Sequence, residues 1–290
     1  EDPLARALVW GAAWDATRDA ELKASDYVRL VLGNIATETE STTIRTTLAQ
    51  LGTTVHFYVD PMTRVATIAE VGDALWTLAR SAKAGSDAQF QFVKYFANLA
   101  STPAHVTALR GLLDGSIALE GLEIDTDLGW ELLEGLVLNG AAGQTEIDAA
   151  LAKDNTANGQ QAAARASATI PTLAGKQAAF DSLVDNDELP NAIVRNVTLG
   201  FQHSNDVSVL EAFVPQYFSM LGEIWKNRSY KIAEYIVVGL YPSPLASATL
   251  RDATQAWLDD NPEIPALRRL VTQNLAGVIR ALKVQERDAE

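Results

Sequence analysis

The chain has 290 residues, 48% hydrophobic and 21% charged, with 23 basic against 37 acidic side chains, a formal net charge of −14 and no cysteine. These proportions belong to a folded globular chain, long enough to bury about 75% of the surface it exposes when unfolded, with no need of disulfides or metal. The charge argues against nucleic acid and anionic membranes as partners, since both call for clustered Lys and Arg. The lack of thiols excludes a disulfide framework and thiolate metal sites.

Helical signal starts at once. Asp2-Pro3-Leu4 reads as a helix start and has neither the basic patch nor the apolar core of a signal peptide. Trp10 and Trp14 lie one turn apart and share a face. On the first helix of a row, that face is expected in the core or against something N-terminal to the chain. An immediate helix with no polar capping repeat is what a cut inside a longer chain would give, whereas the polar tail 285–290 reads as a natural terminus.

Tyr27, Leu30, Val31, Asn34 and Ile35 predict one helical face, and Ile44, Leu48, Leu51, Val55 and Tyr58 the next. Residues 55–59 resemble a strand locally but continue the preceding face, so helix is expected. Ser86-x-x-Gln89 has capping-box form, and Thr102-Pro103 places a cap before a proline at the first helical position. Asp125, Thr145, Ser243-Pro244 and Asn261-Pro262 are similar boundaries, and Gly85, Gly115, Gly140, Gly143 and Gly159 stand where helices should end. Residues 140–171, rich in Ala, Gly, Asn and Gln, form the one plausible internal boundary: short helices packed through Ala, or a more mobile stretch. Residues 232–241 are the most apolar run, too short to span a membrane and interrupted by Glu234. Leu267, Leu270, Val271, Leu275, Val278, Ile279 and Leu282 form a long final stripe.

The sum is about fifteen helices joined by short connections. The expected fold is all-α, a curved array of antiparallel helix pairs running through one continuous domain, 1–290. No fixed-period repeat is visible, which irregular HEAT-like repeats tolerate.

Residues able to do chemistry are few. His56, His105 and His203 each stand alone, none followed by Glu, so H-E-x-x-H is absent. His203, near a helix C-terminus, is expected to meet carbonyls there. Asp125-x-Asp127, Asp185-x-Asp187-Glu188 and Asp259-Asp260 sit at helix edges, where acidic residues favour helix N-termini or solvent. No G-x-S-x-G elbow occurs, and Gly175-Lys176-Gln177 lacks the earlier Gly and the Ser/Thr of a phosphate loop. Asn196-Val197-Thr198 and Asn227-Arg228-Ser229 match the glycosylation pattern by chance. Trp76, Trp130, Trp225 and Trp257 fall in amphipathic patterns and are expected in the core. No catalytic or metal-binding residue is assigned.

A family resemblance adds what the chemistry withholds. Leu4-Ala5-Arg6-Ala7-Leu8-Val9-Trp10-Gly11-Ala12-Ala13-Trp14-Asp15 and Asp127-Leu128-Gly129-Trp130-Glu131-Leu132-Leu133 come first. Lys176-Gln177-Ala178-Ala179-Phe180-Asp181-Ser182-Leu183-Val184 and Leu189-Pro190-Asn191-Ala192 follow. Then come Lys226-Asn227-Arg228-Ser229, Ala233-Glu234 and Val238-Gly239-Leu240-Tyr241-Pro242. In this order they resemble the C-terminal helical domain of bacterial zinc aminopeptidase N, related to the endoplasmic-reticulum aminopeptidases.

The resemblance implies a HEAT-like bowl that closes over a separate catalytic domain, walls a chamber beside the zinc, and helps hold the far end of a peptide. Zinc, with its H-E-x-x-H and G-x-M-x-N motifs, would lie in that catalytic domain, and neither motif occurs here. The implied partners are the catalytic domain of the same polypeptide and peptide substrates, in the cytoplasm, and the chain alone would not be an enzyme. The acidic balance would favour cationic peptide N-termini. Substrate-contacting residues stay unassigned; Arg195, His203 and Lys226 would be tested only if they face the concave side. A free-standing helical scaffold for a protein partner is the alternative, and a helical enzyme with an unfamiliar site, betrayed by perturbed buried carboxylates, is a third reading.

Overall fold

The computed structural model describes residues 2–290, which form fifteen α-helices and four short 3-10 or π turns, with no strand among the described residues. In chain order the helices are α1 Pro3–Arg18, α2 Ala24–Asn34, α3 Ser41–Thr53, α4 Arg64–Ser81, α5 Asp87–Leu99, α6 Pro103–Asp114, α7 Thr126–Leu138 and α8 Gln144–Lys153. They continue as α9 Ala157–Thr169, α10 Leu173–Val184, α11 Asn191–Gln202, α12 Phe213–Asn227, α13 Tyr230–Gly239, α14 Ala248–Asp260 and α15 Pro265–Ala289.

Local chemistry explains most starts. Asp2, Ser86, Thr102, Thr156, Thr172 and Ser247 each accept a hydrogen bond from a backbone N–H two or three residues on. Asp125 does the same for Leu128 at 2.8 Å. The capping box at Ser86 is displaced by one residue: the Gln89 amide oxygen accepts from Gly85 N–H, not from Ser86 N–H. Gly85, Gly115 and Gly140 have positive φ and follow α4, α6 and α7, as the sequence predicts.

Several boundaries differ from expectation. Gly143 caps the start of α8, where the Glu146 carboxylate accepts its N–H, so Thr145 lies inside the helix. Gly159 also lies inside a helix, in the first turn of α9. Asn261 closes α14 while α15 waits until Pro265, and Ser243-Pro244 opens only a 3-10 turn. Residues 54–58 are helical, but as one π turn continuing α3. On α2 the buried face is Ala24, Tyr27, Val28 and Val31, with Ile35 just beyond; Asn34 is exposed and donates to Leu30 O. The stripe of α15 buries Val278, Ala281 and Val284, while Ile279 is exposed and Leu282 half-buried.

The chain divides into two compact units. One runs through Leu136 and includes Arg280–Glu290; the other is Val137–Ile279. The chain passes from one to the other inside α7 and inside α15. Within each, helices pack on their sequence neighbours and on helices two places away: α1 on α3 and α3 on α5 in the first, α9 on α11 and α11 on α13 in the second. That is the contact pattern of a helical-repeat array.

In the first unit, Trp14 packs on Tyr27 and Tyr58, and Trp76 stacks on Phe96. The last turns of α15 complete it. Asp288 accepts from Ser25 N–H at 2.7 Å and Asp60 N–H at 2.9 Å, and Gln285 donates to Phe57 O. In the second unit Phe180, Phe201 and Phe213 form one aromatic cluster, and Tyr217, Tyr241, Phe218 and Trp257 another. Each such ring contributes about 2–3 kcal/mol when fully buried.

The Ala-rich stretch forms two short helices. Ala163, Ala166 and Ala168 of α9 are buried, and α11 approaches so closely that a Cβ on Gly200 would lie 2.1 Å from Arg165 O. Only glycine fits there, and small side chains are what bring the two backbones together.

Candidate functional site

The polar side chains inside the two units serve first to terminate helices. A helix ends in carbonyls with no intrahelical partner, and burial makes each unmet one costly. Lys176 on α10 has no exposed surface, and its Nζ donates to Ala168 O at 2.9 Å, Gly200 O at 2.8 Å and His203 O at 2.8 Å. One ammonium thus serves the C-terminal ends of both α9 and α11, where a positive charge also meets the helix dipoles favourably.

The device recurs. Gln202 donates to the carbonyls of Val238, Gly239 and Tyr241 at the end of α13, and Arg228 donates to Val184 O at the end of α10. Arg268 reaches Leu258 O and Asn261 O at the end of α14, and Lys283 reaches Asp19 O just beyond α1. Lys176 and Arg228 belong to segments that carry the family resemblance. His203 supplies one of the carbonyls that Lys176 meets.

One deeply enclosed carboxylate is Glu38, whose side chain is 1% exposed. Arg6 donates to both its oxygens, at 3.2 and 3.0 Å; Trp10 Nε1, Thr39 N–H and Glu40 N–H complete five donors. The Arg6 guanidinium above all, with the backbone N–H groups and Trp10, outweighs desolvation and holds Glu38 at about 2, against an ordinary 4.5. A carboxylate so occupied stays charged and anchors α1. It is neither a raised-pKa acid nor a base with lone pairs to offer.

The same contact decides between the two expectations for the Trp10/Trp14 face in favour of the core. Trp10 is buried on Glu38 and the half-buried Trp14 packs on two tyrosines, so this face points into its own unit.

His105 is 1% exposed. Its Nδ1 accepts from Ser101 N–H at 3.1 Å, so Nε2 carries the proton toward Asp73 Oδ1 at 3.0 Å. The ring fits because residue 72 is glycine: a Cβ there would lie 2.4 Å from His105 Cε1. With both ring nitrogens engaged, His105 is a structural tie between α4 and α6. His56 is half-buried in the π turn. Arg195 on α11 and Lys226 on α12 are exposed, and His203 is half-buried after α11. The acidic pairs also do local work: Asp187 is 3.6 Å from Arg228, and Asp259 accepts from Gln255.

Among the described residues, a cavity lies within each unit. In the first, about 360 Å³ opens between the N-terminal ends of α3 and α5, over Ile44, Leu78 and Phe92, with Lys83 and Asp87 lining it beside the occupied Glu38. In the second, about 290 Å³ lies over Ile170, Leu189, Ile193 and Val197, with Ser167, Ser182 and Gln144 as its polar lining. The second has no ionisable side chain in its wall and suits an apolar group.

The chain matches the ERAP1-like C-terminal domain family over residues 1–280. It belongs to that family. It is also 40% identical over 288 residues to Aminopeptidase N of Streptomyces lividans, a comparison that covers 99% of this chain and 34% of that protein. The chain therefore spans about a third of the length of that relative. As an ERAP1-like C-terminal domain, its residues do not fit a zinc site: among the described residues no three His, Cys, Asp or Glu side chains converge, and His105 is committed at both nitrogens. No helix among the described residues is long and apolar enough to cross a membrane.

Proposed function

We propose that this chain is the C-terminal helical domain of a zinc-dependent aminopeptidase that removes N-terminal amino acids from peptides, and that it does not catalyse on its own. The match along residues 1–280, together with 40% identity to an aminopeptidase N about three times its length, carries this reading. Both units count as parts of one domain here, because the family match runs through both. The zinc and its motif belong to the rest of the polypeptide. This domain walls the reaction chamber, excludes water and helps hold the far end of the peptide. Cytoplasmic placement belongs to the same reading and is compatible with a chain that has no cysteine.

Two measurements test it. The reading frame N-terminal to this sequence should encode H-E-x-x-H. The isolated chain should leave amino-acid anilides intact, with or without zinc, while the complete polypeptide cleaves them. Zinc-dependent turnover by the isolated chain overturns the proposal, and so does an upstream frame without the motif.

A further inference from the structure

The first helix shows two unlike faces. One, carrying Arg6 and Trp10, is pinned to the buried Glu38. The other carries Leu4, Leu8 and Val9, which are 67%, 66% and 61% exposed, with Ala5 and Ala12 exposed beside them. These residues follow the helical i, i+4, i+8 and i, i+4 spacings and fall on one side of α1. No charged side chain interrupts them until Asp15, which pairs with Arg18. Three large apolar residues and two alanines are thus contiguous over about two and a half turns. Contiguous apolar surface of this kind marks a contact site.

We infer that the Leu4–Leu8–Val9 face of α1 is the seat for the polypeptide that precedes this domain in the parent aminopeptidase. The inference rests on the function proposed above. A C-terminal domain has its neighbour on the N-terminal side, and the related aminopeptidase N has about two thirds of its length outside the matched region. The neighbour's contacting surface is apolar, since the face offers no charge to pair with. The five-donor anchor at Glu38 fixes α1 before contact, so docking loses little ordering entropy.

Hydroxyl-radical footprinting of the isolated chain and of the complete polypeptide reads this directly, with anilide cleavage measured alongside as a separate test of function. Leu4, Leu8 and Val9 should be labelled readily in the isolated chain and several-fold more slowly in the complete polypeptide. A Leu4→Glu/Leu8→Glu variant should leave the melting temperature of the isolated chain unchanged and restore labelling at Val9 in the complete polypeptide. Equal labelling in both proteins overturns the inference, whether or not the polypeptide cleaves anilides. Protection that arises in the isolated chain with rising concentration, together with a dimer mass that Leu8→Glu abolishes, also overturns it, in favour of a second copy.

Discussion

Replacing Lys176 with methionine isolates the cross-capping of α9 and α11. Methionine keeps an unbranched stem of similar length and removes the ammonium. Two terms oppose each other. The native protein desolvates a charge, at a cost of several kcal/mol that the variant recovers. The variant leaves three carbonyl oxygens without this donor, those of Ala168, Gly200 and His203. At about 1–3 kcal/mol for each buried polar group left unmet, the loss spans about 3–9 kcal/mol before relaxation. Setting about 3–4 kcal/mol of recovered desolvation against the middle of that span leaves a net destabilisation of about 2–3 kcal/mol.

Urea unfolding with hydrogen exchange is the suitable assay, because two units need not unfold in one step. Amides of α9 and α11 should lose protection while those of α4 and α5 keep it. A Lys176→Met protein within about 1 kcal/mol of the native one, with α9 and α11 still protected, would refute the reasoning.

Glu38→Gln should destabilise the first unit by about 3 kcal/mol at neutral pH, measured by urea unfolding, since a charge held by five donors is lost. Because the folded value is depressed, to about 2 from 4.5, Glu38 stabilises fully above about pH 4.5. That contribution fades as pH falls from there to about 2, so native and Glu38→Gln stabilities should converge in acid. Asp288→Ala removes the acceptor for Ser25 and Asp60 N–H and should cost about 1–2 kcal/mol, seen as faster exchange at those two amides. Gly200→Ala forces a Cβ toward Arg165 O and should lower the melting temperature with an effect of about 1–3 kcal/mol; an unchanged melting point would mean α9 and α11 can separate at no cost.

The helices themselves, and most of their starts, were legible because the signals are local. A cap such as Thr102 and the N–H of His105 lie three residues apart, so the pattern and the bond share one stretch of chain. Burial along α3 and into the π turn likewise follows a spacing visible in the letters. The misreadings arose where one residue type serves two ends. Gly143 starts a helix and Gly159 sits within one, because glycine tolerates an N-cap or a tight first turn as well as a C-terminal stop.

Which side of α1 turns inward needed the structure to decide. Periodicity sorts residues onto sides of a helix but does not say which side meets the neighbour. Trp10 and Trp14 are larger than Leu4 and Leu8, yet Glu38, 28 residues beyond Trp10, decides which side is inside.

The sequence alone therefore determined an all-helical chain, its capped starts, and its kinship with an aminopeptidase C-terminal domain, since each depends on residues near one another or on ordered segments. Tertiary structure alone decided which donors close the helix ends. An orphan carbonyl accepts from any group that reaches it, whatever its place in the chain. Lys176 serves Gly200, 24 residues away, and Lys283 serves Asp19 from 264 residues away, separations that no spacing rule encodes.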